Sequence, residues 1–440
     1  MMTIDNPLAC GVRSQESHCF MNLPFAANAI CVRSYSQACV NSVIRLAFLL
    51  ACASLSQSAS PAPSRITVSA GGLDRFQTVV SFPKPLGWKQ TVVLKTPEGN
   101  ELAVQYDDEG NASFIIPELK KNHSITINVS DAVSAAARPR VEANRESDGI
   151  AFKLEGKPII RYQAEAGALP RPEIKPAFKR GGYLHPVHTP AGRVITDDFP
   201  TNHVHHHGIW SAWTNTEFEG RKPDFWNMGA GKAKVDFSSL TRQWSGSVHG
   251  GFVSKHVYTD LVPATPVDVL DETWRVQVYA ISNKRHPAWI FDITSTQLLR
   301  GQSPLKLPEY RYGGLGFRGN THWDGKDNWI VLTSNGETDR VKAHATRANW
   351  CYLGGMLDGE QAGIAVLCHP SNFRFPQPMR VHPSEPFFNY TPQQAGDMEI
   401  TPGKPYVSKY RFAMLDGRPD KAELDRLWND YATPPTVNLK

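Results

Sequence analysis

His203, His205, His206 and His207 put four of the chain's fifteen histidines into one short run, Asn202-His203-Val204-His205-His206-His207-Gly208-Ile209-Trp210. On extended backbone the side chains would alternate, setting His203, His205 and His207 on one side and His206 on the other. Imidazoles in such a row can coordinate a metal, carry a proton near neutral pH, or hydrogen-bond sugar hydroxyls through their ring nitrogens. As a metal site, His203 and His205 would hold a divalent ion with a third ligand from elsewhere in the chain. A histidine-rich structural segment is the alternative to all three.

The residues around the run favour a sugar. Upstream, the turn-rich stretch 181–186 carries Tyr183 and His185; downstream, Asp224, Phe225, Trp226 and Asn227 set a carboxylate beside two aromatic rings, and Trp210 closes the run itself. Aromatic faces can cover the apolar faces of a pyranose while His, Asp and Asn reach its hydroxyls. Tyr183, His185, Trp210, Asp224 and Trp226 are therefore candidate ligand contacts, with Trp226 as the stacking platform. Asp224 could also be a second acid or base, or the cap of a local turn. No spacing reveals two facing carboxylates, a nucleophile elbow or a phosphate-binding glycine loop.

A chain of 440 residues, 41% hydrophobic, can fill a sizeable core and has room for two domains. Its net charge of +5 is scattered, with no basic run interleaved with aromatics, which gives no basis for nucleic-acid binding. Five of the seven cysteines precede residue 53. There Arg45, the apolar run 46–53 and the small and proline residues up to Pro63 follow the order of a secretory signal, so residues 1–60 read as an export segment that is removed. The protein is then periplasmic or extracellular. Leu49-Leu50-Ala51-Cys52 weakly resembles a lipoprotein cleavage site, which leaves a lipid anchor open, and Met21 is an alternative start. Nothing later approaches the roughly 18 apolar residues of a membrane span.

The elements that must hold the candidate residues read almost entirely as strands, giving an all-β chain. Short β-rich runs at 76–82, 90–96, 101–106, 113–116 and 124–129 predict a small sandwich over residues 61–134, followed by a linker at 135–145. Residues 146–440 form the larger domain, with alternating runs at 274–281, 289–299, 329–333, 363–368 and 406–415. So many strands exceed one simple sandwich and predict a large, doubled antiparallel one. One helix is expected at 421–431, where Leu424, Leu427, Trp428 and Tyr431 share a face and Asp420 can cap the start. Cys351 and Cys368 lie on two strands around residues 358–361; a turn centred on Gly359 and Glu360 would set them opposite each other, either bridged or as two buried thiols.

Residues 181–226, with Tyr312-Gly313-Gly314-Leu315-Gly316-Phe317-Arg318, Arg347-Ala348-Asn349-Trp350, Gly363-Ile364-Ala365, His369-Pro370-Ser371-Asn372 and Phe388-Asn389, resemble the PmoA-like family of secreted bacterial proteins, in order and over residues 181–417. That family's methane-oxygenase label would require several spanning helices, which this sequence lacks. The resemblance implies a galactose-mutarotase-like supersandwich and a role in carbohydrate metabolism. His203, His205 and His206 match the family's Asp-His-Pro-His-His-Arg-Gly pattern, whereas Asn202, Val204 and His207 replace its Asp, Pro and Arg. Arg318, His369 and Asn372 also fall on the family's motifs and are expected to complete the pocket. In this reading His203, His205, His206 and His369 supply acid/base chemistry, Arg318 steadies developing oxyanion charge or forms a structural ion pair, and Asn372 contacts the ligand. His369 could instead be a turn residue. The expected function is epimerisation, elimination or hydrolysis of a sugar or glycoside; a metal-dependent enzyme and a noncatalytic glycan-binding module are the rival readings.

Overall fold

Period-two burial shapes the molecule. Along the strand Val267–Tyr279, Trp274, Val276 and Val278 are buried while Thr273, Arg275 and Gln277 are partly exposed, as expected for a strand with one face on a core. A computed structural model describes residues 62–132, 140–281 and 287–440. The proposed export segment, and residues 135–139 of the expected linker, lie outside the described residues.

Two eight-stranded sheets, antiparallel throughout, form the large sandwich. The first runs in spatial order Met379–Val381, Phe387–Tyr390, Gly314–Arg318, Ile209–Ala212, Tyr183–Val187, Lys157–Gln163, Gly149–Leu154 and Val141–Arg145. The second runs Ala233–Trp244, His249–Asp260, Val267–Tyr279, Ala288–Leu299, Tyr406–Asp416, Glu360–Cys368, Trp350–Leu357 and Trp329–Thr333. Phe152, Ile160, Leu184, Ile209 and Phe317 of the first sheet share one core with Trp274, Phe291, Leu353, Ile364 and Phe412 of the second. The expected linker is shorter than the sequence implies, because residues 141–145 pair as the edge strand of the first sheet. Among the described residues no helix is long and apolar enough to cross a membrane.

The small N-terminal sandwich consists of a five-stranded and a three-stranded sheet. The run expected at 101–106 breaks at Val104, since Glu101–Ala103 pairs in one sheet and Gln105–Tyr106 in the other. The chain's last strand, Thr436–Leu439, pairs with Arg65–Ser69, so the small sandwich also takes in residues beyond 134.

The hairpin bearing the two cysteines turns one residue earlier than expected. Leu357 faces Glu360, leaving Asp358 and Gly359 as the two-residue loop, with φ of 51° and 78°. Both values are left-handed, the requirement of a type I′ turn, and Asp-Gly satisfies it better than Gly-Glu. That shift moves the partner of Cys351 by two residues, to Val366, and both thiols are free and buried.

The helix Lys421–Ala432 forms as expected, with the Asp420 side chain accepting from the Ala422 N–H at 2.9 Å. It buries Leu424 and Leu427 against the second sheet. Its Asp430 accepts hydrogen bonds from Arg75 and Thr78 of the small sandwich, both at 3.0 Å, and from Arg426 at 2.7 Å. Arg75 is 2% exposed, and among the described residues Asp430 is the carboxylate that pairs with this buried charge. Asp430→Ala is accordingly expected to cost about 3–5 kcal/mol. The check is a lower denaturant midpoint with an unchanged slope.

Candidate functional site

The histidine run is not a strand. Pro200 accepts from the His203 N–H at 3.2 Å, His203 from His206 at 2.8 Å, and His206 from Phe199 at 3.1 Å, so consecutive turns fill the segment until the strand starts at Ile209. Turn formers at Pro200, Thr201 and Asn202 outweigh the alternation expected from spacing. The grouping of the rings changes accordingly: His203, His205 and His206 gather, with centroids 4.7–5.9 Å apart, and His207 turns away. His207 is fully buried, stacked 4.5 Å from Tyr183, and its Nδ1 lies 2.6 Å from Asp198. The turn leaves through Gly208, where a Cβ would sit 2.2 Å from the Leu184 carbonyl oxygen. No larger residue allows that approach.

A pocket of about 240 Å³ opens beside the three gathered rings. That is many times the roughly 10–15 Å³ needed to admit one water, and enough for a small ligand. One wall is His203, His205, His206 and His382; the others are Trp226, Tyr312 and Phe387, with Asn227, Arg311 and Arg380 completing it. His382 comes from the loop after the strand Met379–Val381 and lies 5.8 Å from His203, edge to face. His206 is held in a stack, 4.8 Å from His203 on one face and 4.8 Å from Phe387 on the other. Trp226 is only 2% exposed, because Trp210, Tyr312 and Phe387 cover it at 4.9, 5.4 and 5.8 Å. The more accessible ring is Tyr312, not the expected platform Trp226. Gly316 permits this packing, since a Cβ there would lie 2.9 Å from Trp226.

Burial dominates the electrostatics of the wall. It lowers His205 to about 4, with His203 and His207 adding to the effect, and lowers His382 to about 4, with Arg380 and His203 adding. Burial and then Arg318 lower His203, and burial with His205 and His203 pushes His206 well down. At neutral pH the four rings are uncharged, each with one nitrogen able to accept a proton or hydrogen bond. Buried Nδ1 atoms of His203 and His206, and Nε1 of Trp226, have no protein partner.

Arg318 acts behind the pocket instead of in it. Its side chain is fully buried and forms ion pairs with Asp324 at 2.5 Å and Glu385 at 3.6 Å. The two carboxylates also accept from the Asn202 amide, at 3.2 and 2.5 Å, and Asn202 accepts from Arg318 at 3.2 Å. Arg318 thus anchors the residue that begins the histidine turn. Burial and then Glu385 push Asp324 up to about 6 despite Arg318. Burial opposes ionisation of Glu385 too, but a hydrogen bond with Asp324 and the Arg318 charge hold it below its usual range. Asn202 suits this network because its amide donates to both acids, where an aspartate would add a third negative charge.

Several expected site residues do not reach the pocket. His369 is a turn residue, its Nδ1 2.8 Å from Ser371 Oγ and its ring 4.8 Å from Tyr431 of the C-terminal helix. Asn372 is buried and spent on the Lys409 backbone, at 2.8 Å in both directions. His185 bonds Thr196 at 2.9 Å, and Tyr183 donates to Asp198 at 2.8 Å. Trp210 is buried beneath His206, 5.0 Å away. Asp224 caps a local turn, accepting from the N–H groups of Trp226 and Asn227 at 3.1 and 2.9 Å and from the Asn227 side chain at 2.8 Å. Conversely, His382, Arg311, Arg380 and Phe387 line the pocket without having been singled out by sequence, and Tyr312, which stood only within a family motif, joins them; the pairing of Met379–Val381, Phe387–Tyr390 and Gly314–Arg318 brings these segments together. As for the metal reading, among the described residues no three His, Cys, Asp or Glu side chains converge as an ion's ligands.

Neutral burial has a pH signature. Between about 4 and the ordinary 6.5 of His205 and His382, the unfolded chain binds more protons than the folded one, so stability falls as pH is lowered through that window. Melting temperatures measured from pH 7 to 4.5 should fall less for His205→Gln and His382→Gln than for the parent protein.

No curated protein matches the chain. Residues 149–429, containing the first sheet from Gly149 onward, the whole second sheet and the pocket, match the family described as DUF6807, of unknown function. The chain belongs to that family.

Proposed function

We propose that this protein is an exported carbohydrate-active enzyme, whose pocket holds a sugar or glycoside and transfers a proton on it through a neutral imidazole. The observation that carries the reading is the gathering of four uncharged histidines at one small pocket edged by Tyr312, Phe387 and Trp226. A neutral imidazole is a competent general base, and once protonated it returns the proton as a general acid. Asn227 and the imidazoles that line the pocket offer donors and acceptors for hydroxyls, while the Tyr312 ring offers an apolar face. The PmoA-like resemblance over residues 181–417 supports the same substrate class.

Epimerisation or elimination fits the site better than hydrolysis. Glycoside hydrolysis is ordinarily carried out by two carboxyl groups flanking the bond, and no Asp or Glu lines this pocket. Asp224, Asp324 and Glu385 lie behind it, engaged in the contacts described above.

The test is a panel of monosaccharides and short glycans incubated with the protein in deuterated water, followed by mass spectrometry and NMR. Deuterium entering a ring carbon, a new epimer or an unsaturated product is expected. His205→Gln and His382→Gln should lower the rate by about a hundredfold or more, the usual scale for losing a general acid or base. Absence of binding to every sugar in the panel would remove the reading. Binding without exchange or turnover would assign the pocket to glycan recognition alone.

A further inference from the structure

The pocket's charge is unbalanced. Arg311 and Arg380 both line it, and among the described residues neither forms an ion pair. Three buried arginines are neutralised by acids: Arg75 has Asp430, Arg411 has Asp292 at 2.8 Å, and Arg318 has Asp324 and Glu385; a fourth, Arg180, donates to the Gly181 and Ser211 carbonyls and does not line this pocket. Arg380 instead has Nη1 3.4 Å from His344 Nε2, and its buried Nε has no protein partner. Arg311 is exposed, with its guanidinium 5.9 and 5.7 Å from the Tyr310 and Tyr312 ring centroids.

Nearby acids cannot supply the missing charge without breaking other contacts. Glu385 and Asp324 hold Arg318 and Asn202, and Asp224 is occupied by three N–H donors. The four imidazoles beside the guanidiniums add no negative charge. Burial lowers the Arg380 pKa and the Arg311 charge lowers it further, so two like charges, both still cationic, face one small volume at a cost to the free protein. An anion entering the pocket would offset the repulsion between them.

We propose that Arg311 and Arg380 jointly bind the carboxylate of an acidic sugar, so that the ligand is a uronate or a glycan ending in one. This rests on the sugar reading of the same pocket and narrows it. Planar guanidinium forks match a carboxylate's two oxygens, and two of them hold it more firmly than hydroxyl contacts alone. The arrangement also suits the histidines. A carboxylate neutralised by two guanidiniums acidifies the adjacent C–H, because the electron pair left behind can spread onto the carboxylate oxygens. A neutral imidazole is the group placed to take that proton.

Calorimetric titration with glucuronate, galacturonate, their neutral hexoses, and the hexose 6-phosphates and 6-sulfates separates the possibilities. A uronate is expected to bind about tenfold or more tightly than its neutral hexose, and more tightly than the phosphate or sulfate. Added salt should weaken that preference. Arg311→Gln and Arg380→Gln should each reduce it, and the double variant should abolish it while still binding neutral sugar and retaining the parent melting temperature. Equal affinity for acid and neutral sugars would overturn the proposal and leave the sugar reading standing. Tighter binding of the phosphate or sulfate would overturn the carboxylate assignment. No binding to any of these sugars would overturn both.

Discussion

Arg318 has no exposed surface, and the placement of its charge governs the geometry of the histidine turn. A buried guanidinium needs counter-charges at hand, and those available, Asp324 and Glu385, come from two different loops. Asn202 bridges them, fixing the start of the turn. The backbone reinforces this, since the Arg318 N–H donates to the Gly208 carbonyl at 2.8 Å at the other end of the same turn. One residue of the strand Gly314–Arg318 therefore grips the histidine segment at both ends. It is a positioning residue, and the oxyanion role suggested by its motif has no geometric basis, because its nitrogens point to acids behind the pocket.

Packing then decides how the gathered rings behave. A histidine on an open surface would carry a proton part of the time at neutral pH. Here the Phe387–His206–His203 stack, with Trp210 and Trp226 beneath, removes water from one side of the wall. Glu385 favours protonation of His203 and His382 and Asp224 that of His205, but burial outweighs them, and at His206 burial and its neighbours act in one direction. Desolvation thus keeps the wall uncharged, while the guanidiniums of Arg311 and Arg380, whose ordinary pKa lies far higher, remain cationic. The pocket has two chemical zones for this reason, one neutral and basic, the other positively charged.

Much of the scaffold was readable from residue order. Alternating burial and the amphipathic stripe ending at Tyr431 report on local backbone, and local rules decide them; the Asp358-Gly359 turn obeys the same rules, yet it falls one residue earlier than expected. The sheets, the small sandwich and the C-terminal helix follow. Within the site, His203, His205, His206 and Trp226 were readable because they lie close together in the chain. His382 and Arg380 were not, since they reach the pocket only through the pairing of Met379–Val381 with Phe387–Tyr390 and of that strand with Gly314–Arg318. His369 and Asn372 illustrate the converse. Their side chains satisfy the backbone of a turn and a neighbouring strand, a demand that residue type alone does not reveal.

The pairing of Thr436–Leu439 with Arg65–Ser69 bears on how the molecule is made. Arg65 and Lys440 exchange backbone hydrogen bonds at 3.2 and 2.9 Å, so one edge of the small sandwich is completed by residues that lie beyond the whole large sandwich in sequence. Until those residues pair, the edge of Arg65–Ser69 is open to strands of other chains. The small sandwich therefore closes only when strands far apart in the chain have met, and its folding is tied to that of the large sandwich lying between them in sequence.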